Sequence, residues 1–127
     1  LGATDTWTVP RKVLNISSGL GRRAMASQAA YCAAKAGMDH FSRAVALEEA
    51  AGAHPARIVS LAPGVIDTDM QVQLRGADPA GFPDHGRFVH LQSAGLLDSA
   101  DAAAAKVLAW LDRPDFGVQP VADVREG

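Results

Sequence analysis

Residues 27–51 read "SQAAYCAAKAGMDHFSRAVALEEAA". Alanine dominates, and Gly37 is the one breaker in the interior, so a long helix is expected over Ser27–Ala51. Ser27 is expected as its N-cap, Gly52 as its C-terminal stop, and Pro55 prevents continuation. On either side stands a short apolar run. "VLNIS", Val13 to Ser17, ends in a polar Ser-Ser-Gly turn, and "RIVSLA", Arg57 to Ala62, ends in Pro-Gly. Both have the length and composition of buried strands. A strand, a helix and a strand in that order imply a parallel βαβ unit with a right-handed crossover.

The pattern continues outward. "LGATDTWTVPRK" reads as a connection with Arg11 and Lys12 solvated, and "SGLGRRAMAS" reads as a loop. "PGVIDTDM" reads as a turn. Residues 71–98 are rich in Gly, Pro and His without a clean period, and such excursions usually serve as lids or binding loops. "DSADAAAAKVLAWLDR" is expected to form a second helix, capped by Asp98 or Ser99 and stopped by Pro114. "VQPVADV", Val118 to Val124, reads as a last strand, and Pro120 puts it near an edge. The fold class is therefore α/β.

The 127 residues suffice for one domain, with 48% apolar and 20% charged residues. At net charge -2 with the signs interspersed, there is no basic stripe for nucleic acid and no polybasic cluster for a membrane. No apolar run is long enough to span a bilayer, and no signal peptide is evident. The single cysteine, Cys32, cannot form an internal disulfide, which fits the reducing cytoplasm. It is expected to be a small core residue. His40, His54, His85 and His90 show no metal-ligand spacing, so no metal is expected. The chain starts at Leu1 and reaches a strand within about a dozen residues, as expected of a piece of a longer protein.

In α/β sheets, ligands bind outside the carboxyl ends of the strands. Ser18 and "PGVIDT" follow the first two strands there, and Tyr31 lies near the start of the long helix. Tyr31 and Lys35 are spaced i, i+4 and share a helix face. A cation beside a phenol favours its ionised form and makes it a usable proton carrier. Ser18 supplies a hydroxyl that can donate to a substrate oxygen. A tyrosine and a lysine four apart are common in helices, and Ser-Ser-Gly is an ordinary turn. The joint pattern is more specific: strand, Ser18, Tyr31 thirteen residues on, Lys35, helix, strand, Pro-Gly-x-x-x-Thr.

"VLNISSGLG", "YCAAKAGMDHFSRAVALE" and "IVSLAPGVIDTDM" together resemble the second half of a short-chain dehydrogenase/reductase. Within that family the residues are most like sepiapterin reductases and bacterial benzil reductases. The resemblance implies a Rossmann-like doubly wound parallel sheet, of which residues 1–127 supply strands 5–7 and the flanking helices. They would form the C-terminal part of a single dinucleotide-binding reductase domain, with the Gly-rich turn and the tetrad asparagine before Leu1. It also implies NAD(P)-dependent reduction of a small carbonyl compound, a ketone, a diketone or a pterin side chain. Tyr31 would be proton donor, Lys35 would tune it and bind the nicotinamide ribose, and Ser18 would polarise the carbonyl. Pro63, Gly64, Ile66 and Thr68 match positions that hold the nicotinamide end of the cofactor. NADP is the expected cofactor, with NAD as the alternative. Gly64 would also lie against substrate, and Asp123 matches an aspartate that anchors the pterin in sepiapterin reductase. Met70, Phe82, Phe88 and Leu91 are candidate walls of an apolar pocket, and His85 and His90 candidate substrate contacts. Family members commonly dimerise through their long helices, and Ala33 and Ala44 would allow close approach. The alternative is a non-catalytic interaction module derived from a reductase that has lost its cofactor-binding half.

Overall fold

In the computed structural model, residues 1–64 and 98–126 are described. Three strands, β1 (Lys12–Ile16), β2 (Arg57–Ala62) and β3 (Val121–Asp123), form a parallel sheet in the order β1-β2-β3. Helix α1 (Ala29–Ala50) joins β1 to β2, and α2 (Ala100–Leu111) precedes β3. The register pairs Val13 with Ile58, Ile16 with Leu61, and Ala62 with Asp123. The three strands therefore end at the same edge of the sheet.

Period-two alternation along the strands sends their side chains to two different layers. Val59 and Leu61 on β2 are fully buried and cluster with Phe116 and Ala122. Leu14 of β1 and Val107, Trp110 and Leu111 of α2 pack against this cluster. It is the apolar core. The alternate residues face α1, and there the interface is polar. Asn15 donates to Ser42 Oγ at 3.3 Å, and Ser60 donates to Asp39 at 2.7 Å. The two helices thus cover opposite faces of the sheet, as the doubly wound arrangement requires.

Several boundaries differ from the sequence expectation. β1 begins one residue early, at Lys12, although Ser17 N–H still bonds Leu61 O at 2.8 Å. α1 starts at Ala29 with Gln28 at its N-cap. Ser27 is therefore not the cap: its φ of 66° puts it in the left-handed region as the chain turns into the helix. α2 begins as expected, with Ser99 Oγ accepting from Ala102 N–H at 3.1 Å, while Asp98 pairs with Lys106. β3 is shorter than Val118–Val124 because turns closed by Phe116 and Val118 occupy the approach to it. It has a strand neighbour on one side among the described residues, in keeping with Pro120 at an edge.

Arg11 is a further correction. Its side chain is 8% exposed rather than solvated. It reaches Glu49 at 3.4 Å, donates to His54 O at 2.6 Å and to Thr4 Oγ1 at 3.0 Å, and so ties the chain before β1 to the end of α1. Lys12 Nζ donates to Leu111 O and lies 5.3 Å from the centre of the Phe116 ring.

Candidate active site

The carboxyl ends of the strands and the first turns of α1 form one neighbourhood. β1 leaves the sheet through Ser17 and Ser18, and a 3-10 turn follows at Gly19–Gly21. Ser18 caps that turn, its Oγ accepting from Leu20 N–H at 3.2 Å. The hydroxyl hydrogen is not used in that bond and stays available to donate.

Tyr31 lies in the first turn of α1, half-buried. One turn on, Lys35 is also half-buried, with Nζ 5.7 Å from the centre of the Tyr31 ring. The same Nζ donates to Ile16 O at 2.9 Å, at the end of β1 and two residues before Ser18. One hydrogen bond therefore ties the Tyr31 helix to the strand end that precedes Ser18. An ammonium carries three N–H groups, so two remain for other partners.

Pro63 and Gly64 follow β2 directly. Gly64 has φ +84°, a conformation L side chains rarely adopt, which leaves bare backbone at this point of the loop. Ile66 and Thr68 lie outside the described residues, as do Met70, Phe82, His85, Phe88, His90 and Leu91.

Asp123 ends β3 at the same edge, largely buried. Its Oδ1 accepts from Arg125 N–H at 2.8 Å and Nε–H at 2.9 Å, and its Oδ2 accepts from Arg125 Nη2 at 2.6 Å. These bonds hold its carboxyl below the usual aspartate range against the opposing effect of burial, and the charge of Arg22 adds to the lowering. An open hollow of about 340 Å³ lies between this strand end and the 3-10 turn, lined in part by Gly19, Arg22, Asp123 and Arg125. Cys32 is half-buried rather than a core residue. Among the described residues, no three His, Cys, Asp or Glu side chains gather as a metal site would need. No helix among them is long and apolar enough to cross a membrane.

The sequence reading overlooked Asp39, which continues the Tyr31 and Lys35 series by four residues and is 1% exposed. It accepts from Ser17 Oγ at 2.6 Å and Ser60 Oγ at 2.7 Å. The signal was present in the repeat at positions 31, 35 and 39, and in one serine inside the otherwise apolar "IVSLA".

Comparison with known proteins agrees with this architecture. The family model described as short chain dehydrogenase matches residues 11–78, more than half of the chain. A benzil reductase ((S)-benzoin forming) of Bacillus cereus is 39% identical over 113 residues, covering 89% of this chain and 45% of that protein. An NADPH-dependent pterin aldehyde reductase of Arabidopsis thaliana is 37% identical over 101 residues, 77% of this chain and 34% of the relative. A sepiapterin reductase of Rattus norvegicus is 34% identical over 107 residues, 84% of this chain and 38% of the relative. The crystal structure of the KRED1-Pglu enzyme superposes with a TM-score of 0.74 at 27% identity, over 87% of this chain and 46% of that one. The chain spans less than half the length of each of these proteins.

Proposed function

The chain belongs to the short-chain dehydrogenase family, and from that membership we propose that the protein is an NADPH-dependent reductase of a small carbonyl compound. A diketone, a ketone or a pterin side chain is the substrate class, in line with what the benzil and pterin relatives are named for. The observation that carries the reading is the position of Lys35, 5.7 Å from the Tyr31 ring centre and bonded to Ile16 O beside the Ser18 turn.

The residues present fit a nicotinamide cofactor. Lys35 keeps two N–H donors for ribose hydroxyls, and Gly64 offers backbone without a side chain. Pro63, Ile66 and Thr68 are proposed to complete that end of the site. When bound, the cofactor supplies the hydride to the carbonyl carbon. Ser18 donates a hydrogen bond to the carbonyl oxygen and so draws charge toward it. Tyr31 gives its phenolic proton to the same oxygen as the alcohol forms. The Lys35 cation stabilises the phenolate that remains. Such preorganised donors act where charge develops in the transition state. Asp123 is proposed to face the substrate from the end of β3, and Arg125 governs how much of its carboxylate is open.

A homodimer in the cytoplasm completes the reading. Phe41 and Leu47 of α1 are 61% and 78% exposed, apolar side chains that a second copy would cover. Light scattering on the complete protein should report twice the monomer mass, and a monomer at micromolar concentration would contradict this. The test of the activity is a panel of diketones, ketones and pterins offered with NADPH and with NADH. Cofactor oxidation that depends on one of these carbonyls supports the proposal. No oxidation with any of them would remove it.

A further inference from the structure

Asp39 is a buried acid that no step above uses. Its Oδ1 holds both Ser17 and Ser60, at 2.6 and 2.7 Å. Its Oδ2 faces Arg22 Nε at 3.1 Å, an ion pair not aligned as a hydrogen bond. Arg22 in turn donates from Nη2 to Ser60 O at 3.1 Å and to Ala122 O at 3.0 Å. One carboxylate on α1 therefore joins the end of β1, the turn after it, β2 and, through Arg22, β3. The 3-10 turn rests directly on this group: a Cβ on Gly21 would stand 2.4 Å from Oδ2.

Ser18 sits between two of these anchors, with Ser17 before it and the Gly19–Gly21 turn after it. Lys35 and Tyr31 lie one and two turns earlier on the helix that carries Asp39. An apolar side chain would fill the same space without fixing direction, whereas a carboxylate with named donors fixes it. We propose that Asp39 is a positioning residue that sets the placement of Ser18 relative to Tyr31 and Lys35. The catalytic meaning rests on the proposed reductase reading, but the geometric content does not.

The test uses the complete protein and its Asp39→Asn variant. Asparagine keeps the size and can still accept from Ser17 and Ser60, but it brings no charge to Arg22. Crystal structures of the two should show Ser18 displaced from Tyr31 by about 1 Å, enough to cost roughly 100-fold in turnover. In kinetics, kcat should fall while cofactor Kd stays the same. The isotope effect with deuterated nicotinamide should rise, because hydride transfer becomes slower than product release. A purely structural role would lower the folded fraction and leave the isotope effect unchanged; that result, or Ser18 found in place with kcat within about twofold, would overturn the proposal. If Asp39→Asn does not fold, Gly21→Ala moves the turn while keeping the charge, and the same measurements decide. If the wild-type protein reduces no carbonyl, the reductase reading falls while the crystal structures still decide this one.

Discussion

Lys35 is bonded to Ile16 across the junction of helix and sheet: Nζ donates to the carbonyl at 2.9 Å, from a position 5.7 Å from the Tyr31 ring centre. One side chain thus has two duties, toward the phenol and toward the strand end before Ser18. Lys35→Ala should remove both. Turnover should fall by about 100-fold, the low end for loss of acid–base function. Cofactor Kd should rise by roughly tenfold, the equivalent of one charged hydrogen bond. Isothermal titration with NADPH separates the two effects, and an unchanged Kd would confine Lys35 to the phenol.

Ser18 gives a contrasting expectation. Its Oγ accepts from Leu20 N–H at 3.2 Å, the cap of a three-residue turn. Loss of such a cap costs about 1 kcal/mol. Ser18→Ala should therefore lower the melting temperature by only a few degrees. If the hydroxyl polarises a carbonyl, kcat should still drop by about 100-fold, as for a donor at a developing oxyanion. A variant with normal turnover would remove Ser18 from the chemistry.

Much of this arrangement is legible in the sequence, for physical reasons. β2 is buried from Ile58 to Ala62, and a continuous apolar run bounded by turn residues reports that. Ser99 was readable as a cap because its hydroxyl acts within one helical turn. The polar layer was less legible, since Asn15 and Ser60 find their partners on α1 only once the sheet and helix have met. Arg11 misled for the same reason. Beside Pro10 and Lys12 it reads as solvated, yet its partners Glu49 and His54 are brought to it by the fold. Asp123 was legible as a residue of the last strand, but its bidentate bond to Arg125 was not.

That bond gives a pH dependence of known sign. The Asp123 carboxyl is lowered chiefly by the side-chain bond from Arg125, and the Arg125 guanidinium is raised in return by the same bond. A lowered acid stabilises the fold above its ordinary value and loses that contribution as pH falls. The loss should begin below about pH 4, where the unfolded aspartate takes up a proton first. Arg125 is 64% exposed, so solvent screens the pair and the effect is small. Melting temperatures of the complete protein and Arg125→Ala should differ at neutral pH and converge in acid. A difference that persists at acid pH would show that the pair acts through packing rather than charge.

Tyr31 carries the central claim, and one comparison tests it most directly. The complete wild-type protein and Tyr31→Phe are assayed for NADPH oxidation with the carbonyl substrate that the panel selects, and NADPH binding is measured for both. The phenylalanine variant keeps the ring beside Lys35 and loses only the hydroxyl that carries the proton. Turnover at least about 100-fold lower, with nearly unchanged cofactor affinity, is the predicted result. Turnover close to wild type would contradict the assignment of Tyr31 as the proton donor.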